Sequence, residues 1–297
     1  MNRQLRIGVV GIPGSWSTEA LADAVDAATG FRLVVDMAEV SAELDSGTLR
    51  YRDWKLEQLD ALVVKKISDS DSPRTADRLQ MLRMLERAGV RVFNRVDAMI
   101  RLIDRLGCLL TLYNAGIPIP ETRVTESLAA ATSAVWDFES ALFKPLYAGT
   151  ARGTTLIESG DDPARMQQAI EAFREKHPVM MIQKRHRLPG RDLGMVFLGG
   201  DYLGTYARVG RTGAWNTAIL SGGHYTAHAA DDALIDLARH AQALFGLDFT
   251  TVDLAETDQG PMVLDVSAFG GFHGALKGIG MDVAARYVDY VLTTLAA

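Results

Sequence analysis

The sequence predicts a mixed protein in two parts, a small parallel α/β unit at the front and an antiparallel α+β unit behind it. Three observations carry this. Apolar β-type runs alternate with helical periodicities up to Asn94. Beyond that point the runs come in pairs joined by glycine turns, as in "RDLGMVFLGGDYLGTYARVG" and "FTTVDLAETDQGPMVLDVS". With 297 residues, 48% of them hydrophobic, the chain can bury the interior that two such parts need.

In chain order, "LRIGVVGI" reads as a strand running into a turn at Pro13-Gly14. "STEALADAVDAATG" reads as a helix, with Ser17 as N-cap and Gly30 as C-terminal stop. "FRLVVDM", "DALVVKKI" and "VRVFN" are the next strands. Between the last two, "SPRTADRLQMLRMLERAG" repeats Leu79, Leu82 and Leu85 at helical spacing. This front domain, residues 1–94, is shorter than a full dinucleotide-binding domain. Its "GVVGIPG" has neither the G-x-G-x-x-G spacing nor the Gly-Lys-Ser/Thr of a phosphate loop, so it reads as a tight strand-to-helix turn.

One long helix is expected from Val96 to Asn114, broken by Pro118 and Pro120. "SALFKPLYAGTARGTTLIE" reads as two strands around a loop of small residues. "DPARMQQAIEAFREKH" is a helix and "VMMIQKRH" a strand. The two glycine-turn hairpins, a helix at "DDALIDLARHAQALFG" and a last helix at "MDVAARYVDYVLTTL" complete the chain.

The formal net charge of −6 argues against non-specific nucleic-acid binding, which relies on a basic face. The single cysteine, Cys108, excludes an intrachain disulfide and fits a reducing compartment, hence a cytoplasmic protein. It lies in a helical pattern and reads as a buried apolar group. No signal-peptide pattern opens the chain and no apolar run is long enough to span a bilayer, so no membrane association is expected.

Three stretches could carry chemistry. Lys144 ends an apolar strand and precedes the Gly/Ala/Thr loop, where backbone N–H groups and an ammonium suit phosphate oxygens; an exposed lysine beside a hairpin is the plainer reading. In the last hairpin, alternation places Asp265 and Ser267 on one face, with Met262, Leu264 and Val266 turned to the core. Asp253 lies on the polar face of the partner strand. Two carboxylates and a hydroxyl suit Mg²⁺, a hard cation that prefers oxygen; periodicity alone leaves a metal site and a surface turn level. Third, "YARVGRTGAWNTAILSGG" brings Arg208 and Arg211 close to Trp215 and Asn216, and arginine forks suit phosphoryl or carboxylate groups; a basic surface hairpin is the plainer reading. His224 and His228 sit four apart, but "GGHYTAH" reads as a loop and no zinc is expected. Lys65 and Lys66, exposed after "ALVV", could serve an acceptor site from the front domain, but a solvated strand end is the plainer reading.

Taken together with "RLIDRLGCLLTLYNAGIPIPET", these stretches resemble the ATP-grasp superfamily. The similarity is closest to the amino-acid ligases that add glutamate to ribosomal protein or to tetrahydromethanopterin, and among subgroups to the GAK-system ATP-grasp proteins. The resemblance covers roughly residues 94 to 293. It implies an ATP-grasp domain over 95–297, with a lid at about 111–184 and a C-terminal subdomain at about 185–297, preceded by a small Rossmann-like domain.

Carried over residue by residue, the resemblance implies nucleotide contacts from Arg105, Lys144, Gln183, Lys184, Arg185, Asp192, Arg208 and Asn216. Lys144 and Arg208 would be the catalytic charges, and Asp253, Asp265 and Ser267 the metal ligands. The chain also departs from the pattern. Asp104-Arg105 stands for Asp-Lys, and Ala148 and Ala151 stand at glycine positions before Arg152-Gly153. Gln183-Lys184-Arg185 replaces a Gln-Glu hinge, Gly194 an arginine, Asn216-Thr217-Ala218 an Arg-Ser/Thr-Asn, Ser221 an arginine, and Asp265-Val266-Ser267 a Glu-x-Asn. The implied activity is an ATP- and Mg²⁺-dependent carboxylate–amine ligase working through an acylphosphate, with Mn²⁺ as substitute ion. Its partners would be small-molecule or peptide carboxylates and amines, and a homo-oligomer is compatible. The substitutions motivate a rival: an ATP-grasp fold without turnover, acting as a nucleotide-binding or regulatory partner.

Overall fold

The computed structural model describes residues 4–68, 73–146, 153–212, 216–217, 219 and 222–297. In the front part, β1 (Ile7–Val10) leads through α1 (Trp16–Thr29) to β2 (Val34–Val35). β3 (Ser41–Glu43), β4 (Thr48–Tyr51) and β5 (Trp54–Lys55) make a small antiparallel sheet of their own. These strands are too short to leave a periodic signal. β6 (Ala61–Val64), α2 (Pro73–Arg87) and β7 (Arg91–Phe93) follow. The main sheet runs β2-β1-β6-β7 with every pair parallel, the Rossmann-like arrangement expected. β1 and β6 are buried along their whole length, as strands covered on both faces are. Ser15, not Ser17, is the N-cap of α1; Glu19 Oε1 reaches back to the Gly14 N–H at 2.6 Å, so the helix begins two residues earlier than expected.

The expected single helix after Asn94 is two, α3 (Val96–Ile103) and α4 (Arg105–Asn114). Asp104 leaves helical geometry (φ −80°, ψ 90°) and its carboxylate accepts the Gly107 N–H at 3.1 Å. An aspartate that can cap competes with helix continuation and here wins. β8 (Thr122–Thr125), α5 (Leu128–Phe138), β9 (Ser140–Lys144), β10 (Thr155–Glu158), α6 (Pro163–Lys176) and β11 (Met180–Lys184) form the middle part, a sheet ordered β10-β9-β11-β8. Its core, built from Val135, Phe143, Ile170, Phe173 and Ile182 among others, is separate from the rest.

β12 (Arg191–Leu198), β13 (Asp201–Val209), β14 (His224–Ala227), α7 (Asp232–Ala243), β15 (Phe249–Thr257), β16 (Gly260–Ser267), α8 (Phe272–Ile279) and α9 (Val283–Ala296) form the last part. The sheet order is β14-β13-β12-β15-β16, all antiparallel. "GGHYTAH", expected as a loop, supplies the edge strand β14, because its backbone pairs with Tyr206–Val209. Among the described residues no helix is long and apolar enough to cross a membrane.

The front and last sheets share their interior. One buried cluster joins Val10, Leu62 and Val64 to Leu193, Val252 and Val266, and another joins Ile7, Leu21 and Val63 to Val196, Phe249 and Tyr287. Asn94, fully buried, ties the two together: its amide donates to Phe249 O at 2.9 Å and its oxygen accepts the Phe249 N–H at 2.8 Å. Asn94→Ala leaves both backbone groups unpaired in the interior. We expect it to cost about 2–4 kcal/mol of stability, read by chemical denaturation.

Candidate active site

The β15–β16 hairpin sets Asp253 directly opposite Asp265, Val252 opposite Val266 and Thr251 opposite Ser267. Cβ atoms of such pairs stand about 4.5–5.5 Å apart. One step on, the register slips, and Leu254 pairs with Val263. This bulge corrects the expected core set: Val263 is fully buried and Leu264 is turned partly outward, so Met262, Val263 and Val266 face the core. After Ser267 the chain turns sharply. A Cβ at Gly270 would meet Thr251 Oγ1 at 2.8 Å, and one at Gly271, whose φ is +86°, would meet Thr251 Cγ2 at 2.4 Å. The glycine pair thus lets the turn lie on β15 and start α8, a helix the sequence reading leaves out. Ser267 Oγ accepts the Phe269 N–H at 3.2 Å.

Arg208 on β13 pairs in register with Asp192 on β12. Its Nε donates to Asp192 Oδ2 at 3.0 Å and a terminal N–H reaches the same oxygen. That terminal nitrogen also stands 2.9 Å from Asp253. Burial opposes the charge on Arg208, but Asp253 and Asp192 hold its pKa well above the ordinary value. Burial raises the Asp253 pKa and Arg208 counteracts it, leaving the group above the usual carboxylate range. Asp192 Oδ1 is buried and accepts no hydrogen bond within the described residues. Gly194 lies opposite Tyr206, whose ring would be 2.3 Å from a Cβ there. Tyr225, the cross-strand partner of Arg208, continues an aromatic row through His273 to the exposed Trp16.

Facing this sheet, Lys144 ends β9 and donates to Gln183 Oε1 at 2.6 Å, while Gln183 donates to Thr122 Oγ1 at 3.0 Å. Burial lowers the Lys144 pKa to about 8, helped by the charge of Arg105 and opposed by Asp265. The charge of Asp265 is thus felt at Lys144. Arg105, at the start of α4, donates to Pro145 O at 3.0 Å. Lys184 pairs with Glu121 at 3.2 Å and Arg185 with Glu158 at 3.4 Å. Their backbone N–H groups donate to Glu121 O and Ser140 O. Asn216 lies beside the end of β13, with its carbonyl oxygen 2.7 Å from where a Gly210 Cβ would stand. Ala148, Ala151, Arg152, Trp215, Ala218 and Ser221 lie outside the described residues. Lys65 corrects the expectation of a solvated strand end: it is buried, 4% exposed.

Among the described residues, no three histidine, cysteine or acidic side chains already form a metal cage. The donors at the hairpin are nonetheless oxygens only, and Asp265 makes no ion pair among the described residues. Two opposed carboxylates and a hydroxyl fit a hard divalent cation whose remaining ligands are water or phosphate oxygens.

A family model for the RimK-like ATP-grasp domain matches residues 103–291, from α4 into α9, and takes in every group just described except Lys65 and Trp16. The chain belongs to the RimK-like ATP-grasp family. This makes it an ATP-dependent, amide-forming ligase in general class, from a family that uses ATP and Mg²⁺. It is similar to a tetrahydromethanopterin:α-L-glutamate ligase of Methanosarcina acetivorans, at 24% identity over 95% of this chain and 97% of that one. It is also similar to a ribosomal protein bS6–L-glutamate ligase of Escherichia fergusonii, at 26% identity over 83% and 81%. In structure it resembles the ATP-grasp ligase PsnB complexed with a phosphomimetic variant of its minimal precursor, Mg and ADP. The TM-score is 0.75 at 18% identity, over 98% of this chain and 99% of that one.

What sequence reasoning missed in this ATP-grasp site is tertiary: the double grip on Arg208, the Tyr206 ring over Gly194 and the burial of Lys65. Arg208 and Asp192 are sixteen residues apart, so no local spacing signals their pairing. The lowered Lys144 pKa predicts a pH dependence. Below about 8 its ammonium can pair with a phosphate; as pH rises through about 8 that charge is lost. ADP affinity, measured by calorimetry, should weaken about 10-fold between pH 7.5 and 9.5, and Lys144→Met should remove this dependence.

Proposed function

We propose that the chain joins a carboxylate to an amine through an acylphosphate, consuming one ATP. The observation that carries this reading is the opposed Asp253–Asp265 pair, flanked by Arg208 from its own sheet and Lys144 from the facing one. Phosphoryl transfer needs positioning and charge neutralisation more than a protein nucleophile. Arrayed cations and opposed acids supply both.

Lys144 and Arg208 neutralise phosphoryl oxygens, and Arg105 adds charge beside Lys144. Asp192 grips Arg208 through two N–H groups, so the guanidinium keeps its place when Asp253 turns to a cation. Asp253, Asp265 and Ser267 would hold Mg²⁺, or Mn²⁺ in its stead; the two carboxylates match its charge and Ser267 adds a neutral oxygen. When bound, the ion draws phosphate oxygens together and lowers their charge. A substrate carboxylate oxygen attacks the γ-phosphorus of ATP and ADP leaves. The amine nitrogen then attacks the acyl carbon, loses its proton to solvent and displaces phosphate.

Peptides and small molecules both fit as carboxylate. For the amine, glutamate is named in the two relatives, but Asn216 stands where the resemblance places an arginine. An asparagine amide cannot make the bidentate contact of a guanidinium with an α-carboxylate. The substrate panel therefore pairs carboxylates and short peptides with glutamate and with amines that lack a carboxylate.

Incubation with ATP, Mg²⁺ and this panel is expected to release ADP only when an acid and an amine are both present. Lys144→Ala should lower the rate at least about 10²-fold. Tight ATP binding by calorimetry without substrate-dependent ADP release across the panel would overturn the ligase reading in favour of a nucleotide-binding partner.

A further inference from the structure

Among the described residues Lys65 is the only lysine or arginine that is fully buried. It follows β6, at the C-terminal edge of the front sheet, and reaches across to the turn after β16. Its ammonium donates to Phe269 O and lies 4.4 Å from the centre of the Phe272 ring. No carboxylate among the described residues pairs with it. The same Phe269 donates its N–H to Ser267 Oγ at 3.2 Å. One residue thus carries both contacts, with its carbonyl held by Lys65 and its amide holding the Ser267 hydroxyl.

We propose that Lys65 is a positioning residue for the cation ligand Ser267, linking the front sheet to the metal site. This rests on the reading of Asp253, Asp265 and Ser267 as the ligands. Phe269 is followed by Gly270 and Gly271, the most permissive residues available, so its neighbours in the chain add little stiffness to the Phe269 peptide. Lys65 fixes the Phe269 peptide, and that peptide fixes which way the Ser267 oxygen faces. A cation in this place disfavours stability. Burial, with the nearby charge of Lys66, lowers its pKa to about 7, and a carbonyl and a ring face compensate only in part. The sign of the electrostatics makes the role testable. A positive charge close to a metal site opposes metal binding, so removing it tightens binding unless the residue also orients a ligand.

The measurement is Mn²⁺ affinity by electron paramagnetic resonance in the presence of AMPPNP, with thermal unfolding alongside. Lys65→Met is expected to weaken Mn²⁺ about 10-fold. Metal-free AMPPNP affinity should stay unchanged and Tm should stay level or rise. Lys65→Gln, which keeps an N–H donor without the charge, is expected between Lys65→Met and the native protein. In the double variant with Ser267→Ala, the loss should be no greater than for Ser267→Ala alone, because both act through one oxygen. Unchanged or tighter Mn²⁺ binding in Lys65→Met, or losses that multiply in the double variant, would overturn the role of Lys65 while leaving the ligand set standing. Native Mn²⁺ affinity in Ser267→Ala would instead overturn Ser267 as a ligand, and this inference with it.

Discussion

Two carboxylates held face to face on neighbouring strands repel, and the architecture is arranged around that repulsion. Asp253 and Asp265 cannot relax apart, because Val252–Val266 and Leu254–Val263 lock the strands on the core side. Arg208 quiets one member of the pair and is itself anchored by Asp192. Lys144 approaches the other from the facing sheet. The result is a site assembled around an excess of charge, one that, on the proposed reading, a divalent cation and a polyphosphate would complete together. A protein seeking only stability would have apolar side chains there.

The rest of the fold serves that arrangement unequally. The front sheet and the last sheet form one continuous interior, stitched by Asn94. The middle sheet keeps its own core, so Lys144 and Gln183 stand on a part of the molecule with few apolar ties to the site they face. Lys65 belongs to the continuous interior, Lys144 to the separate one. One reports the packing of the scaffold to the site, and the other brings charge to it from across the gap.

Much of this was legible in the sequence, and the exceptions have physical causes. The alternation through "VDL" and "LDVS" placed Asp253, Asp265 and Ser267 on polar faces, because a pleated strand repeats every two residues. The bulge at Leu264 was invisible, since a register slip has no compositional mark. The break at Asp104 looked like an ordinary helical position, and only its capping geometry distinguishes it. Lys65 read as exposed because lysine usually is; its burial comes from a turn 204 residues away in the chain. Local pattern revealed which residues share a face, and only tertiary packing revealed which faces meet.

Gly194 shows how such packing constrains the history of a site. The ring of Tyr206 fills the space beside Gly194 and rests against Gly274 on α8, 2.3 Å from where its Cβ would stand, while Tyr206 Cβ lies 2.5 Å from the corresponding place at Gly278. An arginine at this position, as the resemblance implies, would not fit by a single substitution, because its first carbon would meet the ring. Tyr206 would have to shrink first, opening a void against two glycines of α8. The four positions are therefore coupled in packing, and changing one alone leaves a clash or a void. A charged side chain at position 194 and the aromatic wedge of Tyr206 are therefore mutually exclusive in this packing.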